Sequence, residues 1–244
     1  MTVRRNQIVV IILAVVVILT AAQIASARTA GTGFPLDDAW IHQTYARNLA
    51  QRGEWSFLPG HPSGGSTAPL WSLLLAAGQF SGQPPFVYTY ILGGLCLAGL
   101  AVVGERFLRR QSPAYRAVVL PVAGLFLAGE WHLAWAAASG METILQALLV
   151  VLVFMLLTGE KIPALLVGAV IGVSTWVRPD GLTLLGPAGF VLWFAHSQIK
   201  QRGWALARLA AGFLLIFLPY LAFNWMLTGT PWPNTSTPSR RNTS

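Results

Sequence analysis

Long apolar runs separated by short polar segments dominate the chain. Runs at 8–26, 86–104, 117–138, 143–158, 162–177, 182–195 and 209–227 each read as a helix in nonpolar surroundings, because a bilayer core is crossed by about 20 residues rising ~1.5 Å each. Several runs are shorter than that and are expected to be enclosed by their neighbours. The run at 69–80, PLWSLLLAAGQF, is too short to span comfortably and is expected to lie as a helix at the membrane interface. The first run ends in the small residues Ala25, Ser26 and Ala27, as a cleaved signal would, but it is longer than a signal's hydrophobic region and favours an uncleaved helix. The pattern predicts an all-α polytopic membrane protein, one domain over 1–244 with about seven transmembrane helices. A first loop at 28–85 carries interfacial helices.

Composition excludes the rival classes. Of 244 residues, 55% are apolar and 10% charged, with a mean hydropathy of +0.59, against about 25% charged in ordinary soluble domains. Neither a soluble domain nor a disordered chain fits. The net charge of +8 does not point to nucleic acid, because the cations cluster between apolar runs. Segments 4–5, 105–116, 159–161 and 198–208 hold most of them, whereas Arg28, Arg47, Arg52, Arg178, Arg240 and Arg241 are spread over longer loops. That asymmetry predicts a cytoplasmic N-terminus, a multi-pass protein of the cytoplasmic (plasma) membrane, and an extracytoplasmic first loop. If 69–80 crossed, the Glu105–Arg110 cluster would fall on the wrong side. The one cysteine, Cys96, sits inside an apolar run, which leaves no disulfide framework and no thiolate metal site.

The first loop holds most of the polar residues that orientation does not explain. Asp37 and Asp38 follow Pro35 where a helix should begin, and Ile41, Tyr45 and Leu49 then share one face, the mark of an amphipathic helix lying on the membrane. Asp37 as an N-cap and Asp38 as a charge on the helix dipole account for one carboxylate well. They account for two poorly, since adjacent like charges repel and suit a proton acceptor better than a cap. His42, one helical turn after Asp38, is expected to be its hydrogen-bond partner. Gly53, Pro59, Gly60, Pro62, Gly64 and Gly65 punctuate an ordered loop around His61, a candidate for a sugar or phosphate contact. No His and carboxylate triplet has zinc-like spacing, so no structural metal and no required cofactor is expected. The two carboxylates could still hold Mg²⁺ or Mn²⁺ through waters.

Farther on, Glu130 and His132 are expected in the outer part of the third run, either as polar neighbours of an aromatic belt with Trp131 and Trp135 or as a pocket wall. Glu142 in SGMET, and Arg178 and Asp180 in VRPDG, are expected at the outer ends of later runs, on the side of the two aspartates. Arg178 and Asp180 could simply pair, but arginine is also the side chain best shaped to hold phosphate. Gly168 and Gly172 read as a close helix contact.

Taken in order, Asp37-Asp38-Ala39-Trp40-Ile41, Tyr45-Ala46-Arg47-Asn48-Leu49-Ala50, Pro59-Gly60-His61-Pro62 and Gly65-Ser66-Thr67-Ala68-Pro69-Leu70-Trp71 resemble the first periplasmic loop of GT-C membrane glycosyltransferases, most of all bacterial arabinofuranosyltransferase-like and protein-mannosyltransferase-like enzymes. The segments Ser139-Gly140-Met141-Glu142-Thr143, Arg178-Pro179-Asp180-Gly181 and Pro233-Asn234-Thr235 extend the likeness over nearly the whole chain. It implies a GT-C-like helical bundle and a sugar moved, with inversion, from a polyprenyl-phosphate donor to a hydroxyl of a glycan, lipid or protein acceptor at the extracytoplasmic face. Asp37 or Asp38 is then the catalytic base, Arg178 and secondarily Arg47 meet the phosphate, and Glu142, Asp180, His42 and His61 complete the substrate site. Family members usually continue for several more spans, so 1–244 is expected to be the N-terminal part of a longer fold. The alternative is a non-catalytic or truncated module that binds or translocates a polyprenyl-phosphate lipid.

Overall fold

Proline and glycine decide where the apolar runs become helices and where they stop. The computed structural model describes residues 4–29, 33–82, 84–195 and 197–232. The segment Pro233-Asn234-Thr235 and Arg240 and Arg241 lie outside the described residues, as do the side chains of Ala25, Ser26 and Ala27. Helix α1 (Arg5–Thr29) is followed by α2 (Asp37–Arg52), which ends at Gly53 with φ 68°, a left-handed cap that favours glycine. A short antiparallel hairpin, β1 (Ser56–Leu58) with β2 (His61–Pro62), precedes α3 (Pro69–Gln79) and α4 (Pro85–Gln111). Both helices begin on a proline, which suits the first turn because its missing N–H has no partner there. The rest is α5 (Val122–Gly129), α6 (Trp131–Ala138), α7 (Thr143–Leu157), α8 (Ala164–Val177), α9 (Leu185–Ala195) and α10 (Ile199–Thr228), with 3₁₀ turns at Ala114–Ala117 and Pro179–Leu184.

The protein is therefore nearly all-α, the small hairpin being a departure from a purely helical expectation. Three helices are long and apolar enough to cross a membrane: Arg5–Ile24 within α1, then α4 and α10. Helices α7 and α8 are apolar but shorter. The run at 117–138 is not one helix. Pro121 precedes α5, and at Glu130 the backbone turns extended (φ −66°, ψ 122°) while its carboxylate accepts a hydrogen bond from the Leu133 amide, capping α6. Gly124 lies against Ala101 of α4 and Ala137 against Gly93, so α5 and α6 pack along α4 with Glu130 at the joint between them.

Two apolar clusters fill the bundle. The first joins Ile11 and Val15 of α1, Trp71 and Leu75 of α3, Leu97 and Leu100 of α4, and Ile144 of α7. The second joins Val153 and Leu157 of α7 to Val167 and Ile171 of α8, Leu192 of α9, and Leu209 and Phe213 of α10. Helix α3 is thus packed into the bundle on one side, with Trp71, Ser72, Leu75 and Ala76 buried, while Leu73, Ala77 and the capping Phe80 are exposed. The buried side of α2 is Ala39, His42, Gln43, Tyr45, Ala46 and Asn48, so Tyr45 alone of the predicted apolar face is fully enclosed. Polar pairing turns this face inward: Gln43 donates to Thr89 Oγ1 of α4 at 2.7 Å, and Asn48 to the carbonyls of Ser56 and Phe57.

Helices α8 and α10 touch backbone to backbone. A Cβ on Gly168 would run into the Leu209 carbonyl, one on Gly212 into the Leu165 carbonyl, and one on Gly172 into Ile216. The glycine spacing does here what it does in membrane helix pairs generally. Gly168→Val and Gly212→Val are each expected to cost about 1–3 kcal/mol by overpacking, seen as a lower thermal midpoint of the detergent-solubilised chain. Gly186→Ala and Gly203→Ala, which meet open space, should leave the midpoint level or raise it slightly.

Candidate functional site

Helix α2 begins over the loop between α6 and α7. Phe34 is wedged among Trp40, Phe86 and Tyr90, with ring centroids 5.3, 5.0 and 5.8 Å away. Phe34 and Ala39 both press on Gly140, whose φ of 84° and lack of a side chain make that approach feasible. Trp71 Nε1 ties α3 to the same loop by donating to the Gly140 carbonyl at 2.9 Å. Asp37 and Asp38 are consequently presented at the first turn of α2, both exposed and neither making a hydrogen bond or ion pair among the described residues. Asp37 is not the N-cap. Leu36 occupies that position in an extended conformation and offers no side-chain cap, so both carboxylates sit inside the first turn, on the positive end of the helix dipole.

His42 turns away from Asp38 and into the bundle, contrary to the expected pairing. It is 2% exposed, and a ring that deep needs partners for both nitrogens. Nδ1 lies 3.1 Å from Ser72 Oγ and 3.3 Å from Ser66 Oγ, and the two hydroxyls are 2.9 Å apart. Nε2 stands 3.3 Å from Oε2 of Glu142, an ion-pair contact without hydrogen-bond alignment. The other carboxylate oxygen accepts from Arg178 Nη1 at 3.0 Å, and Arg178 Nε lies 3.4 Å from Asp180 Oδ1. One polar chain thus passes from Ser66 and Ser72 through His42 and Glu142 to Arg178 and Asp180, joining the first loop to the SGMET and VRPDG segments.

Burial runs down steeply along this chain. Glu142 is 2% exposed, while the side chains of Arg178 and Asp180 are 41% and 64% exposed. Burial pushes the Glu142 carboxyl up, but the contact with His42 and its charge, a backbone N–H and the Arg178 charge together outweigh it and hold the group below the usual carboxylate range. The VRPDG turn is set by Gly181, packed on Ser174, and Ser174 in turn donates to Gln146 of α7. Arg178 is therefore half-fixed: the buried Glu142 holds Nη1, the exposed Asp180 faces Nε, and Nη2 makes no hydrogen bond among the described residues.

Other candidates stay outside this cluster. Arg47 is on the exposed side of α2, and His61 is exposed in β2 opposite Leu58. The loop around His61 is ordered as its glycines and prolines suggest: Tyr45 Oη is 2.6 Å from Ser63 Oγ and accepts from the Gly65 amide, and Glu54 accepts from the Gly60 amide. Trp55 stacks edge-on against Phe223 of α10, whose ring also meets Trp176 of α8. Glu130 and His132 pair with each other at 2.7 Å, at the opposite end of α6 from the Glu142 loop. Among the described residues no three His, Cys, Asp or Glu side chains gather as a metal site would require.

Ser66 and Ser72 were not singled out by their sequence. The signal for Ser72 is a hydroxyl in the otherwise apolar PLWSLLLAAG, since a lone polar side chain on a buried helix face must have a partner. No protein-family model, no curated protein and no solved structure matches the chain.

Because Glu142 is held below its unfolded value near 4.5, its contribution to stability is complete above that pH and fades as pH falls through the lower folded value. Thermal midpoints of the wild type should therefore decline in acid, and Glu142→Gln should both lower the neutral-pH stability, by about 1.5–3 kcal/mol, and flatten that acid decline. An unchanged acid slope in Glu142→Gln would assign the decline to other carboxylates.

Proposed function

We propose that the chain is a polytopic membrane glycosyltransferase of the GT-C kind, its seven apolar runs all crossing and the α2 end of the bundle facing the extracytoplasmic side. The main support is the buried contact chain from Ser66 through His42 and Glu142 to Arg178, which joins three of the resembling segments. Asp38 lies one turn of α2 before His42, and its neighbour Ala39 abuts Gly140 in the Glu142 loop. Two open carboxylates thus stand on the helix that supplies His42, and a partly open guanidinium stands at the other end of the contact chain that His42 enters.

The chemistry that fits is a single inverting displacement. One aspartate takes the proton from the acceptor hydroxyl as that oxygen bonds to the anomeric carbon. The bond from that carbon to the phosphate oxygen breaks on the opposite face, through an oxocarbenium-like state like that of glycosidases. Arg178 receives the departing phosphate charge, held in aim by Glu142. The isoprenoid tail stays among the lipid-facing helices. His42 is a positioning residue, since Ser66, Ser72 and Glu142 already surround its ring.

The test is transfer by the full chain in proteoliposomes, assayed over a panel of polyprenyl-phosphate sugars. Asp37→Asn and Asp38→Asn should insert and fold as the wild type does, and one of them should lose about 10²–10⁴ in rate, the usual worth of a positioned base. Arg178→Ala should raise the donor KM. Full transfer in both asparagine variants would end the mechanism. Retention of a polyprenyl-phosphate lipid by purified wild type, with no transfer to any acceptor, would instead favour the lipid-binding module.

A further inference from the structure

Helices α7 and α8 form a hairpin whose open end carries Glu142 and Arg178 and whose closed end lies a helix length away. At that closed end is a cavity of about 550 Å³, bounded by Arg110, Arg116, Glu160 and Lys161 with Leu156 and Pro163. The two guanidinium groups are pinned by backbone carbonyls. Arg110 Nη1 donates to Met155 at 3.2 Å, and Arg116 donates to Arg109 and Arg110 at 2.9 and 3.1 Å. Each guanidinium has five N–H donors, so most remain available.

Arg110, Arg116 and Lys161 form no ion pair among the described residues. Glu105, the nearby acid of α4, is fully buried and already occupied by Arg109, the Tyr115 hydroxyl and the Gly124 amide. Glu160 is the one carboxylate on the cavity wall, against three cations. A charge bias that only sets orientation needs cations somewhere in the segment and does not require them around one hollow. Cations gathered there repel one another until an anion joins them, and the arginine fork matches phosphate oxygens in particular. Three and four residues after Arg116 in the chain, the apolar side chains of Val119 and Leu120 are exposed.

We propose that this cavity binds the phosphate of an anionic phospholipid headgroup through Arg110, Arg116 and Lys161, with Val119 and Leu120 flanking the acyl chains. Basic pockets between membrane helices take such headgroups in general. The proposal requires that the helices cross a membrane and does not depend on glycosyl transfer, so loss of either reading leaves the other standing.

The full chain, purified in detergent, is titrated with phosphatidylglycerol, phosphatidylcholine and inorganic phosphate, and read by native mass spectrometry and by thermal midpoint. Phosphatidylglycerol should bind and raise the midpoint, and phosphatidylcholine should not. Lys161→Gln should weaken phosphatidylglycerol binding about fivefold, Lys161→Glu should weaken it further, and Lys161→Arg should restore it. Lys161 makes no hydrogen bond among the described residues, so these variants keep the fold even if Arg116→Gln, which also strips two backbone carbonyls of a donor, does not. Equal phosphatidylglycerol affinity in wild type and Lys161→Glu, or equal binding of phosphatidylcholine, would overturn the proposal. Stabilisation by inorganic phosphate equal to that by phosphatidylglycerol would overturn the lipid source and leave a soluble phosphate site.

Discussion

An ionised carboxylate removed from water has to be answered by its surroundings, and in this protein Glu142 sets that demand. Its loop is far from α2 and from the VRPDG turn in sequence, yet His42 and Arg178 reach it from either side. Without those partners the buried charge would be among the costliest features of the fold. With them, the first loop, the α6–α7 loop and the α8 terminus are fixed in one arrangement. The aromatic wedge of Phe34 and the Trp71 bond to Gly140 hold the same junction by packing and by neutral hydrogen bonding.

The two ends of the bundle solve opposite electrostatic problems. At the α2 end an acid lies buried and its cation, Arg178, is half-open. At the far end Glu105 is buried and bound by Arg109, while Arg110 and Arg116 answer helix C-terminal carbonyls and keep spare donors. Between them run apolar helices whose close approach depends on Gly93, Gly168 and Gly212, at which any larger side chain meets a neighbouring backbone.

The apolar runs were enough to find most of the helices, because lipid-length hydrophobicity is a one-dimensional signal: α1, α4, α7, α8 and α10 fall where the runs do. The broken third run was legible only in part. Pro121 is an evident helix start, but Glu130 gives no sign in sequence that its own carboxylate will cap the next helix. Of the cluster at the candidate site, His42, Glu142, Arg178 and Asp180 stand out in the sequence, whereas Ser66, Ser72 and the wiring do not. Sequence places Glu142, Arg178 and Asp180 at one end, but helical spacing alone pairs His42 with Asp38, not with its actual partners. Helical neighbours compete with tertiary ones, and here two serines and a glutamate from other segments satisfied the ring better than a solvated aspartate could. The inward side of α2 is wider than its apolar pattern: beside Tyr45 and Leu49, Gln43 and Asn48 also face inward because Thr89 and the hairpin carbonyls await them, which no hydrophobic pattern records.

Helix α7 lends Ile144 to one apolar cluster and Val153 and Leu157 to the other. It acts as a party wall between two rooms, and neither is closed until that wall is up. During synthesis, the groups gathered by α1, α3 and α4 would stay open along one side until residues 143–157 had emerged, and α8 and α10 would then have a finished surface on which to dock.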